Sequence, residues 1–156
     1  MILRAFVPSD RDWLIDRHRV LYGAEFGFTP DFGNSIAEKL DAFLAREDPA
    51  KHLWIAEADG QRIGSIAISD RNGTGFLNFV LLEPSARGQG LGHHLMQTAL
   101  DHARSKGFTQ ATLETYSCLT AARALYRAHG FTISETDPGW HRFGQSFDRE
   151  FWQADL

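Results

Sequence analysis

Cysteine is almost missing from this chain: Cys118 stands alone among 156 residues. A single thiol excludes an internal disulfide and argues against a thiolate metal centre. The seven histidines do not replace it, because no two are spaced to share a metal. His93 and His94 are adjacent on one predicted helix and diverge in direction, so no metal is expected. Basic runs are absent too, with 16 Lys and Arg scattered against 20 Asp and Glu for a formal charge of -4. That removes the electrostatic reason to expect nucleic acid or an anionic membrane, and leaves a small or cationic partner as the natural expectation. No apolar run is long enough to span a bilayer, and Met1 leads straight into Ile2-Leu3-Arg4-Ala5-Phe6 without the basic start and apolar stretch of a secretory signal. The cytoplasm is the expected location. Neither an internal repeat nor a low-complexity linker divides the chain, so one domain over 1–156 is expected.

What is present is a regular alternation of strand and helix signals. Met1 to Val7 alternates as a first strand, and Ser9 with Asp12 three positions on reads as a capped helix start. Trp13, Leu14, Arg17, His18, Leu21 and Tyr22 recur at helical spacing. Gly23 through Gly33 then reads as a break before a second helix from about Asn34 to Arg46. Leu53–Ala58, Arg62–Asp70 and Gly75–Glu83 are extended runs joined at Asp59-Gly60 and Asn72-Gly73, which predicts an antiparallel meander. A helix from Leu91 to about Lys106, a strand over Thr109–Tyr116 and a helix over Thr120–His129 follow. Two last strands, Phe131–Glu135 and His141–Phe151, flank an expected turn at Asp137-Pro138-Gly139.

The segment with most chemical content is Arg87-Gly88-Gln89-Gly90-Leu91-Gly92, a glycine-rich turn between a strand and a helix. Such a turn is either an ordinary tight connection or an anion site. Glycine lets the backbone approach a ligand, and the first helical turn offers unpaired N–H donors under a favourable dipole. It is not G-x-G-x-x-G and lacks a following Lys-Ser/Thr, which excludes dinucleotide and triphosphatase loops. Arg87, Gly90 and Gly92 resemble the Arg/Gln-x-x-Gly-x-Gly/Ala motif of the GNAT superfamily of N-acetyltransferases. Ala122-Arg123-Ala124-Leu125-Tyr126-Arg127-Ala128-His129-Gly130-Phe131 is similar to that family's A-x-x-L-Y-x-x-x-G-F segment, and the order of elements resembles the GNAT fold along essentially the whole chain.

The resemblance implies an α/β fold with a mixed, mostly antiparallel central sheet of about seven strands, about four helices and a CoA cleft between splayed strands. It implies acetyl-CoA as co-substrate and an amine acceptor, either a small molecule or a peptide, acetylated directly in a ternary complex. The pyrophosphate would meet the backbone of Arg87, Gly88, Gln89, Gly90, Leu91, Gly92 and His93, and the pantetheine arm would meet the backbone of Leu81 and Leu82. The side chain of Arg87 has three readings: phosphate, Glu83 or water. Tyr126, by residue type alone a core aromatic, becomes the acid that protonates the departing thiolate. The family often carries Asn where this chain has Leu119, and Ser117 is the substitute considered for that contact. Glu25, His18, Glu114 and His141 are candidates for the base, with Glu25 taken forward. Cys118 has no evident histidine partner to activate it as an acyl carrier. A narrower similarity links Arg17-His18, Leu21-Tyr22, Glu25-Phe26-Gly27, Leu82 to Gly88 and His141-x-Phe143-Gly144 to the acetyltransferase half of MarR-type regulator/GNAT fusion proteins. The chain has no room for the winged helix, so DNA binding in cis is not inherited. The alternative reading is a CoA-binding sensor or partner module without turnover; a homodimer is compatible with either.

Overall fold

The computed structural model describes residues 1–156. In chain order it contains β1 (Ile2–Ala5), α1 (Arg11–Phe26), α2 (Asp31–Ala45), β2 (His52–Ala58), β3 (Gln61–Arg71) and β4 (Thr74–Leu82). These are followed by α3 (Leu91–Ser105), β5 (Gln110–Tyr116), α4 (Thr120–Ala128), β6 (Thr132–Arg142) and β7 (Gln145–Asp155). The strands form one sheet in the order β1-β2-β3-β4-β5-β7-β6, with β4 and β5 the only parallel pair. The expected order of elements and the meander are both present, with Asp59-Gly60 and Asn72-Gly73 in positive-φ conformations at its turns.

The sheet separates two unlike cores. On one side α3 and α4 pack Leu95, Met96, Ala99 and Tyr126 against Leu77, Leu113 and Trp152. On the other, α1 and α2 cover an aromatic cluster of Phe28, Phe32, Phe43, Phe79, Phe143 and Phe147. Such rings bury much apolar area per residue, and their edge and stacked contacts add to it.

Three local expectations are corrected. Helix α1 does not stop at Gly23 but runs on to Phe26 and ends at Gly27, which adopts φ +70. A helical glycine costs about 1 kcal/mol. The stacking of Tyr22 on Phe32 and its contacts with Phe26 and Phe28 hold the last turn in place. At the other end of α1, Asp10 rather than Ser9 takes the N-cap position. Its carboxylate accepts from the Val7 N–H, from Arg4 and from Arg62. Burial alone would push its pKa up, but these donors outweigh it and hold the group at about 2. Finally, Asp137-Pro138-Gly139 is a bulge within β6 rather than the hairpin turn. The chain reverses at Phe143-Gly144, both at positive φ, and Phe143 is held there by stacking on Phe28 at 5.5 Å and an edge contact with Phe32 at 5.0 Å.

The feature that makes the site is a divergence. β4 and β5 pair only over Gly75–Leu77 and Ala111–Leu113, after which the strands part although both continue. Just beyond, β4 carries a bulge opposite Ile66, with Phe79 at φ +50. A bulge re-aims side chains and increases local twist. Here it turns Phe79 into the aromatic core while Val80 packs on the α3 side.

Candidate active site: two cavities that meet at the splayed strands

The first cavity, about 240 Å³, lies mainly on the α2 side of the gap between β4 and β5. The second, about 520 Å³, runs under α3 and α4. Tyr22, Val80 and Leu119 line both, so the two spaces meet where the strands part. All three tyrosines of the chain line the first cavity: Tyr22 from α1, Tyr116 at the end of β5 and Tyr126 from α4.

The second cavity is floored by main chain. No backbone N–H from Gly88 to His93 has an acceptor within the chain; the first bonded amide is that of His94, which donates to the Gly90 carbonyl. Helix α3 has no side-chain cap, and its N-cap residue is Gly90 at φ +79. Gly88 is also left-handed, at φ +75, and a Cβ built on either glycine would meet nothing. Gly92 has a different reason: a Cβ there would lie 3.3 Å from Leu82 and Leu125, so glycine lets α3 approach α4 and β4. Unpaired donors, open space and a helix N-terminus together form a cradle for a phosphate. Helix α4 contributes an apolar wall of Ala121, Ala122, Ala124, Leu125 and Ala128.

Leu81, Leu82, Arg87, Gly88, Gly90, Leu91, Gly92 and His93 all border this cavity, as the resemblance implies. Gln89 does not line it; its amide donates to the Ser85 carbonyl at 3.0 Å. Leu81 buries its side chain in the aromatic core, so only its backbone is available. The Glu83 N–H bonds across to Ile63. Alternation along the strand therefore turns the Leu82 N–H toward the side that β5 has vacated. Ser117 is placed elsewhere than expected. Its N–H donates to the Asp148 carbonyl and its hydroxyl accepts from the Asp148 N–H, both at 2.9 Å, which extends the β5–β7 pairing. It borders neither cavity, whereas Leu119 borders both.

Of the three readings of Arg87, the pairing with Glu83 is not made, and the partner it has is not among them. Glu83 is already engaged by Arg17 through two nitrogens, the longer contact at 2.8 Å, which ties α1 to the end of β4. Arg87 instead meets the Glu25 carboxylate at 2.7 Å and donates to the Leu82 carbonyl at 3.1 Å. Glu25 thus stands in the second cavity, on the last turn of α1, and does not line the first.

Tyr126 lines the first cavity from α4, its ring against Phe131 and Trp152 at 6.2 Å each. Its hydroxyl has no partner in the chain, and burial raises its pKa above the usual phenol value, so it keeps its proton. Burial raises Tyr22 in the same direction and pushes Tyr116 up to about 12. His18 is buried, and the Leu14 carbonyl accepts from its Nδ1 at 2.7 Å. Burial lowers its pKa to about 4, which leaves a neutral imidazole with little basicity. His141 is paired with the Ser146 hydroxyl at 2.8 Å on the last hairpin, and Glu114 faces the first cavity beside Arg71. Tyr22 and Thr115 carry no local signal of a site. Tyr22 belongs to a helical stripe that reads as core. Thr115 is one position in an alternating strand, yet it lines the cavity with a buried hydroxyl that has no partner.

A seven-stranded mixed sheet thus parts at its one parallel pair, with unpaired amides on one side of the gap and a second pocket on the other. A family model described as acetyltransferase (GNAT) family matches residues 11–131, and the chain belongs to that family. It is similar to the uncharacterized N-acetyltransferase YjgM of Escherichia coli (strain K12), 33% identical over an alignment of 114 residues that covers 69% of this chain and 68% of that one. It is also similar to the mycothiol acetyltransferase of Streptomyces avermitilis, 33% identical over 86% of this chain; the chain spans only 44% of that protein's length. Among solved structures, the fold is shared with ribosomal-protein-alanine N-acetyltransferase from Brucella melitensis, with a TM-score of 0.79, 20% identity and full coverage of both chains. A phosphinothricin acetyltransferase from Sinorhizobium meliloti, solved in complex with AcCoA, has a TM-score of 0.77 and 23% identity over 99% of this chain and 88% of that one.

Proposed function

We propose that this chain acts as one acetyltransferase domain that transfers the acetyl group of acetyl-CoA to an amine, with the two substrates entering from opposite sides of the splayed strands. The observation that carries this reading is the junction at Tyr22, Val80 and Leu119, where the two cavities open into each other. The donors from Gly88 to His93 fit a pyrophosphate, and the apolar α4 wall fits a pantetheine arm. Acetyl-CoA, when bound, supplies an activated acetyl thioester. Holding two reactants in one geometry removes much of the entropic barrier, and the Leu82 N–H faces the gap where it can donate to a carbonyl oxygen.

Tyr126 is assigned as the proton donor to the leaving thiolate, because its hydroxyl is unpartnered and keeps its proton in the first cavity, which opens toward the second at Tyr22, Val80 and Leu119. Glu25 is assigned a positioning role: it fixes Arg87, which in turn holds the Leu82 carbonyl. The similarity to the acetyltransferase half of MarR-type fusions is assigned to the shared acetyltransferase scaffold. Its residues include the Arg17–Glu83 and Glu25–Arg87 pairs that join α1 to the cofactor loop. No helix is long and apolar enough to cross a membrane, and a cytoplasmic site of action is our expectation. The test combines acetyl-CoA titration calorimetry with thiol release across an amine panel. Binding with turnover supports the enzyme, whereas binding without release from any amine returns the chain to the CoA-sensor reading.

A further inference from the structure

The wall of the first cavity facing α2 is richer in positive charge than the composition of the chain foreshadows. Lys39 from α2 and Arg71 from the end of β3 both line it. Arg71 lays its guanidinium on the Phe76 ring, 3.5 Å from the centroid, and makes a single contact with Glu114 at 3.1 Å. Lys39 pairs with no carboxylate. Arg142 and Arg149 stand 5.0 and 4.9 Å over the ring of Trp140, which stacks at 5.6 Å on Tyr116 of the cavity wall. Arg142 also has no carboxylate partner. Arg149 has only one contact, with Asp137 at 3.2 Å, and its buried Nε donates to nothing. Lys39 stands exposed at the rim of the cavity; its pKa is lowered first by the part of its ammonium that is desolvated, is raised by the Glu114 carboxylate, and is lowered again by the more weakly felt Arg142, Arg71 and Arg149. Two of these four cations, Lys39 and Arg142, have no paired carboxylate, and the other two have one contact each; an anion placed among like charges that are only partly matched is favoured.

Resting on the acetyl-transfer reading above, we infer that the acceptor is a small amine carrying a carboxylate or phosphate, received by Lys39 and Arg71 while its amino group points to the junction at Tyr22. A cavity of about 240 Å³ is small for a ligand pocket and suits a compact molecule. Phe32, Phe43, Phe76 and Phe79 would cover its apolar middle. The net charge of -4 says nothing about this spot, because the cations are gathered locally from α2, β3, β6 and β7.

The test is a matched panel followed by thiol release: phenylalanine against its amide and against phenethylamine, and phosphoethanolamine against ethanolamine. The anionic members should exceed their neutral counterparts by roughly 10- to 100-fold in kcat/KM, as expected of a charge-assisted contact, and the advantage should shrink with added salt. Whichever anion leads identifies the carboxylate or the phosphate. In parallel, calorimetry with CoA present should show N-acetylphenylalanine binding more tightly than its amide. Lys39→Gln, at an exposed position, should erase both preferences through the acceptor KM with acetyl-CoA affinity unchanged, and Lys39→Arg should restore them. Equal or better use of the neutral amines, or a preference that survives Lys39→Gln and Arg71→Gln, overturns the inference while leaving the acetyltransferase intact. Failure of both acid and amide to bind overturns it as well. Absence of acetyl-CoA binding overturns the underlying reading instead.

Discussion

The two cavities are made of different material. The one under α3 and α4 presents main-chain amides from Gly88 to His93, with alanines and leucines as walls, so its chemistry depends on backbone conformation. The one beside α2 presents side chains drawn from α1, α2, β3, β4 and β5, aromatic at its floor and cationic on one wall. A site built from backbone is set by glycines and a helix start, which are local. A site built from side chains is set by which distant residues the fold brings together, and it can be rewritten without disturbing the scaffold. That difference suits an enzyme with one fixed substrate and one selected substrate.

Tyr126 lines the side-chain-built cavity, and its loss should have the largest effect. Tyr126→Phe conserves the packing on Phe131 and Trp152 and should lower kcat by roughly 100- to 1,000-fold with acetyl-CoA affinity retained. An unchanged kcat, measured where chemistry limits the rate, would return Tyr126 to a packing role.

Gly90→Asp attacks the backbone-built side alone. It places a carboxylate against the pyrophosphate and forces a non-glycine residue to φ +79. Together these should weaken acetyl-CoA by roughly 100-fold. A folded Gly90→Asp protein with wild-type affinity by calorimetry would show that the cradle is not the phosphate site.

Glu25→Gln separates positioning from base catalysis. The Glu25–Arg87 pair is partly exposed, so its removal should weaken acetyl-CoA only about threefold and leave the acidic limb of the rate profile in place. A flattened or displaced limb with unchanged affinity would make Glu25 the base.

A last expectation concerns the aromatic side and is read in stability rather than rate. His18 titrates at about 4 in the folded protein against 6.5 when exposed. Between those values the unfolded chain binds more protons, so stability is fully present above pH 6.5 and is lost as pH falls toward 4. The loss should reach about 3 kcal/mol. His18→Gln should flatten that slope in denaturant titrations, and a slope that persists would place the proton uptake elsewhere.

Element order, the meander turns and the glycine-rich turn that opens α3 were legible because each is encoded within a few adjacent residues. Asp59-Gly60, Asn72-Gly73 and the turn before Leu91 announce their conformations without reference to the rest of the chain. The α1 terminus and the last hairpin were not legible. Gly23 is a weak helix breaker, overridden by aromatic packing around Tyr22. Phe143 is a poor turn residue, and its φ of +55 is tolerated because the ring is buried against Phe28 and Phe32. Asp137-Pro138-Gly139 reads as a turn, yet strand register makes it a bulge.

The site divides along the same line. Sequence by itself determined the order of strands and helices and the glycine-rich turn before α3, since local conformational preference acts over a few positions; the acetyltransferase reading and the interest in Tyr126 came from the resemblance of residues 87–92 and 122–131 to the family's motifs. Only the tertiary structure decided that Glu25 answers Arg87, that Ser117 serves the sheet rather than a cavity, and that Tyr22 and Leu119 stand where the two cavities meet. It alone brought Lys39 and Arg71 into one pocket and set Arg142 and Arg149 over Trp140, which neighbours Tyr116 of its wall. Charges and rings act on what lies within a few ångströms, and only folding brings residues so distant in sequence that close together.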